Sequence, residues 1–104
     1  MDNYLLIKEI KQYLNDNLNN IVNDVVLFGS KLRNSNTSDY DILIVLNKEY
    51  DNELRKKIGN LCYDIELKYD IIIDNQIISK HELENSLRGK HPVYQYAILE
   101  GIHA

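Results

Sequence analysis

Val25-Val26-Leu27-Phe28-Gly29-Ser30-Lys31-Leu32-Arg33-Asn34-Ser35-Asn36-Thr37-Ser38-Asp39-Tyr40-Asp41-Ile42-Leu43-Ile44-Val45-Leu46 is the stretch that decides how this chain folds. Val25–Phe28 is short, uncharged and rich in β-branched residues, as a buried strand should be. Tyr40–Leu46 reads as a second buried strand, with Asp39 and Asp41 at its head. Two carboxylates two positions apart on a strand point to the same face. Side by side they repel each other unless a cation lies between them. Gly29-Ser30 ahead of them is a small-residue turn, open enough for a phosphate to approach backbone N–H groups. A divalent metal carrying a polyphosphate is the simplest partner for such an arrangement.

The flanking segments supply the rest of the architecture. Ile7, Ile10, Leu14 and Leu18 recur at helical spacing and predict an amphipathic helix over 3–19. Leu54, Ile58, Leu61 and Ile65 predict a second helix from Glu49 to about Leu67. Gly59 weakens it, which suggests a tight contact or bend there. Asp70–Ile78 reads as a third strand. Ser79-Lys80-His81-Glu82 is a capping box that starts a helix running to about Arg88, with Gly89 as its stop. Pro92 suits the first position of a last helix, and Gly101 its end. The loop 29–38, with one helical turn at 30–33, is too short for a crossover, so the first two strands should pair antiparallel. The long helix that follows allows a parallel third strand. The expected class is therefore α+β: one domain over 1–104, with a small mixed sheet packed against helices.

Composition narrows the functional classes. The chain has 104 residues, a net charge of −4, 44% hydrophobic and 27% charged residues. That suits a globular domain with a modest core. An acidic balance argues against a broad nucleic-acid face, so no direct, stable nucleic-acid binding is expected. It does not oppose a triphosphate brought in with its metal. No apolar run spans a bilayer, and Met1-Asp2-Asn3-Tyr4 lacks a basic leader. The lone Cys62 cannot close an internal disulfide. Together these predict a cytoplasmic protein with no membrane association. Cys62 reads as a buried helix residue. His81, His91 and His103 lack metal-ligand spacing and read as surface residues.

Val25–Leu46, with its apolar strand, Gly-Ser, loop and Asp-x-Asp, resembles the signature of the DNA-polymerase-β-like nucleotidyltransferases. The shortness of the chain narrows the likeness to the minimal (MNT) type, often encoded beside HEPN toxins. Tyr69–Ile73 and Tyr94–Ile102 are also similar to that family. The resemblance implies Mg²⁺, with two ions in the active complex, held by Asp39, Asp41 and a third acid on a neighbouring strand. Asp70 and Asp74 both flank Ile71-Ile72-Ile73 and share strand parity, while Asp64 lies further back. The similarity of Tyr69–Ile73 to the family's third-acid strand favours Asp70. Gly29 and Ser30 would hold the triphosphate, with Lys31 and Arg33 adding positive charge. The loop departs from the family's pattern: only eight residues, Lys31 to Ser38, separate Gly-Ser from Asp39, and Asn34 stands where a glycine is usual.

What the resemblance implies for function is transfer of a nucleoside monophosphate from ATP or another NTP to a hydroxyl on a HEPN-domain toxin, making this protein its antitoxin. A partner or a homodimer would complete the site. Two alternatives stand beside it: an antitoxin acting by binding alone, and transfer to a small molecule.

Overall fold

The computed structural model describes residues 2–29 and 38–104. Helix α1 (Asn3–Asn17) is capped by Asp2, whose carboxylate accepts from the Leu5 N–H at 3.0 Å. Strand β1 (Val22–Phe28) and strand β2 (Asp39–Leu46) pair antiparallel. Helix α2 (Asn52–Tyr69) then crosses over to strand β3 (Ile72–Ser79), which runs parallel to β2. Helix α3 (Lys80–Asn85) and helix α4 (Pro92–Glu100) follow, and strand β4 (Ile102–His103) returns to β1. The sheet order is β3-β2-β1-β4. This is the expected α+β class, with the expected strand directions.

Both faces of the sheet are covered, which is why its strands read as continuous apolar runs. On one face Leu6, Ile7, Ile10 and Leu14 of α1 and Ile58, Cys62 and Ile65 of α2 pack on Val25, Leu27, Tyr40, Ile42, Ile44, Ile73 and Ile77. On the other, Tyr94 and Ala97 of α4 pack on Val26, Phe28, Leu43, Val45 and Ile78. Cys62 is buried in the first cluster, and burial pushes its thiol up to about 12. It stays protonated at neutral pH and serves as core.

Several boundaries differ from the sequence reading for local reasons. The second helix begins at Asn52, not Glu49, because the Asp51 carboxylate caps it, accepting from the Leu54 N–H at 2.8 Å. It continues to Tyr69, where Asp70 adopts a left-handed conformation (φ 53°) and donates its N–H to the Glu66 carbonyl. The capping box forms as expected, with Ser79 and Glu82 each bonding the other's backbone. That helix stops at Asn85, short of Arg88. The Ser86 hydroxyl takes the Glu82 carbonyl at 2.6 Å, and Arg88 folds back instead of extending the helix. Its guanidinium donates to the Ile77 carbonyl and the Tyr50 hydroxyl, each at 2.7 Å. Ile77 lies on an outer strand, so Arg88 satisfies an edge carbonyl that no strand pairs. The helical turn expected at 30–33 lies outside the described residues.

Strand β4 was not anticipated; two residues carry too little pattern to announce a strand. Gly101 does end α4, its N–H reaching the Ala97 carbonyl at 2.9 Å, and a Cβ there would lie 2.4 Å from Val26 Cγ1. That close approach lets the chain drop onto the β1 edge. His103 secures it, with Nδ1 2.7 Å from Asp24 and Nε2 2.8 Å from the Ile98 carbonyl. A carboxylate and a carbonyl only accept, so the protonated ring, with both nitrogens donating, suits these two partners best. Burial opposes that charge, but the Asp24 and Ile98 hydrogen bonds prevail and raise the pKa.

Gly59 was expected to mark a contact or bend. It does not: nothing lies within 4 Å of a Cβ built there, and α2 runs through it. Gly59→Ala should therefore stabilise the protein by about 0.5–1 kcal/mol, with transfer activity unchanged. Chemical denaturation checks this; a lower midpoint would mean that the glycine serves packing after all.

Candidate active site

Asp39, Asp41, Leu43 and Val45 share one face of β2, the face that carries α4. Helix α4 covers the middle of that face, around Leu43, Val45 and Ile78. The carboxylates lie beyond it, where β2 and β3 begin and β1 ends. Asp39 is exposed and Asp41 half-buried.

Gly29 follows directly on Phe28, which pairs with Asp41. Its φ is +77°, and a Cβ built on it would stand 2.3 Å from Asp41 Oδ2. The glycine is thus required twice, once for its backbone conformation and once because the Asp41 carboxylate fills the space beside it. The turn expected from Gly29 is present. Ser30, Lys31 and Arg33 lie outside the described residues.

The third acid is where the structure departs most from the sequence reading. Asp70 is not in a strand; it is the left-handed cap of α2. Asp74 pairs with Asp41 across the β2–β3 ladder, and Ile72 pairs with Asp39. Burial, the charge of Asp41, a hydrogen bond with Asp41 and the charge of Asp39 together raise the Asp74 pKa. The acids brought together are therefore Asp39, Asp41 and Asp74. Parity alone left Asp70 and Asp74 equivalent. The missed signal was the helical spacing, which continues from Ile58, Cys62 and Ile65 to Tyr69 and makes Asp70 a helix stop.

The donor set is all hard oxygen, as Mg²⁺ or Mn²⁺ prefers. Among the described residues, no group of three or more histidine, cysteine, aspartate or glutamate side chains is arranged to hold a metal ion unaided. The Asp74 pKa is raised first by burial and then by the neighbouring Asp41 and Asp39 charges.

The mixed sheet thus presents three acids beside a left-handed glycine turn. The nucleotidyltransferase domain family model matches residues 7–94, from α1 into α4, and the chain belongs to that family. The matched span holds Gly29, Asp39, Asp41 and Asp74. Its general reaction is transfer of a nucleoside monophosphate, and the family generally uses a nucleoside triphosphate and a divalent metal. No curated protein and no solved structure matches the chain. Among the described residues, no helix is long and apolar enough to cross a membrane.

Proposed function

We propose that this protein is a minimal nucleotidyltransferase that moves AMP from Mg²⁺–ATP to a hydroxyl of a partner protein, a HEPN toxin, and so acts as its antitoxin. The observation that carries the chemistry is the register opposing Asp41 to Asp74 beside Gly29. The partner rests on the resemblance of Val25–Leu46 to the polymerase-β-like nucleotidyltransferases, narrowed to the minimal type by the shortness of the chain, and ATP is the nucleotide proposed within that reading.

In this reading Asp39 and Asp41 would hold the metal, which when bound would supply charge neutralisation for the triphosphate and the leaving pyrophosphate. Gly29 brings backbone close to the phosphates without a side chain intervening. Asp74, whose proton affinity is raised, orients the acceptor hydroxyl and takes its proton as the oxygen bonds to the α-phosphorus. The bond to pyrophosphate breaks, and pyrophosphate leaves with the electron pair. Asp74 therefore takes the role that the sequence alone favoured for Asp70.

One pair of variants tests that assignment. Asp74→Asn should slow transfer by about 10²–10³-fold, the usual loss when a proton-transfer group is removed. Asp70→Asn should leave the rate near wild type, because asparagine tolerates the left-handed cap. Initial rates of pyrophosphate release with acceptor present make the comparison. The reverse pattern would return the third-acid role to Asp70.

A further inference from the structure

The β2–β3 register makes a four-cornered patch on the open face, with Asp39 opposite Ile72 and Asp41 opposite Asp74. Three corners are acids. The fourth, Ile72, is 56% exposed. This is not fraying. The Ile72 N–H donates to the Ser38 carbonyl at 3.1 Å, the Ile73 N–H to the Glu66 carboxylate at 3.2 Å, and the Ile73 side chain is buried beneath. The backbone here is tied down, and it leaves a large apolar side chain exposed beside the carboxylates, at an expense in hydration that covering it would recover.

Isoleucine cannot ligate a metal or receive a phosphate, so this corner offers nothing to the charged part of a nucleotide. Its position across the sheet is opposite to the phosphate turn. Gly29 lies on the β1 side of Asp41, whereas Ile72 lies on the β3 side, and β3 is the outer strand. In-line displacement requires the attacking oxygen to approach opposite the departing pyrophosphate. With phosphates at Gly29, the acceptor would come in over β3, the strand that carries Ile72 and Asp74 on this face.

We infer that Ile72 is a specificity-determining residue for the acceptor. It seats an apolar flank next to the attacking hydroxyl and selects hydroxyls borne on apolar groups over those of polyols and sugars. The inference rests on the nucleotidyl-transfer reading and adds to it the chemistry of the acceptor's surroundings.

Two primary alcohols that differ only in their flank, cyclohexylmethanol and glycerol, probe it. With saturating Mg²⁺–ATP, the wild type should transfer to cyclohexylmethanol with a KM roughly tenfold below that for glycerol, the discrimination expected of a modest apolar contact. Ile72→Ser should erase that preference and Ile72→Leu retain it. Mg²⁺–ATP affinity by calorimetry should be unchanged in both variants, separating acceptor selection from nucleotide binding or misfolding. An undiminished preference in Ile72→Ser overturns the inference and leaves the transfer reading intact. A second measurement does not depend on turnover with small alcohols. With Mg²⁺ and a non-hydrolysable ATP analogue bound, the Ile72 δ1-methyl resonance should shift on adding cyclohexylmethanol and not glycerol. A resonance that neither alcohol moves also overturns the inference. Failure of the transfer reading shows itself separately, as absence of any α-phosphate label on the partner protein.

Discussion

Replacing Asp41 by asparagine is expected to slow nucleotidyl transfer about 10³-fold, or ~4 kcal/mol, while leaving the protein folded. The size follows from its place in the site. Asp41 stands between the glycine turn and Asp74, so its carboxylate is the one best placed to serve both phosphate and acceptor sides of the reaction. A metal contributes several kcal/mol of charge stabilisation at such a centre, and each 1.36 kcal/mol is about tenfold in rate. The same change removes a negative charge that helps to raise the Asp74 pKa. Stability should therefore stay within about 1 kcal/mol of wild type, or rise slightly. Label transfer and a thermal melt on one preparation separate the two effects. An Asp41→Asn protein that transfers at the wild-type rate would contradict the assignment.

Gly29→Ala should be the most damaging change that leaves every charged group in place. At φ +77° a Cβ adds strain of about 1–2 kcal/mol. It also lands 2.3 Å from Asp41 Oδ2, so the carboxylate must swing out of its position. Displacing a catalytic group by about 1 Å from productive geometry is enough for a loss of roughly 10²-fold. Transfer should fall by that factor, with a lower melting temperature. Gly59→Ala is the matched control, since the same substitution there meets nothing and should raise the melting temperature. Wild-type transfer by Gly29→Ala would show that neither the turn nor the position of Asp41 matters to catalysis.

Which parts of this were legible in the sequence follows from how far each signal reaches. The Val25–Leu46 stretch announced its strands, the left-handed glycine and the shared face of Asp39 and Asp41 because those signals are local: β-branched runs, a glycine and a two-residue spacing. The Ser79–Glu82 cap was equally local. The third acid was not. Whether Asp70 or Asp74 faces Asp41 depends on where α2 ends and how β3 registers on β2, and a strand gives no register until its neighbour is placed. Strand β4 escaped for the same reason, since Ile102–His103 becomes a strand only through its bonds to β1. Arg88 stands at the end of a helical pattern in the sequence, yet its guanidinium bonds a strand carbonyl eleven residues back in the chain. Gly59 erred the other way: its low helix propensity suggested a purpose, while the surrounding helix simply tolerates it.

The most direct test of the central claim follows the phosphates themselves. The protein is incubated with Mg²⁺, the proposed HEPN partner, and ATP labelled on either the α- or the γ-phosphate. Nucleotidyl transfer through Asp39, Asp41 and Asp74 predicts that α-label stays on the partner, that γ-label leaves as pyrophosphate, and that Asp39→Ala/Asp41→Ala abolishes labelling. Retention of γ-label, α-labelling that survives the double variant, or a partner that is inhibited yet never carries label would each contradict it.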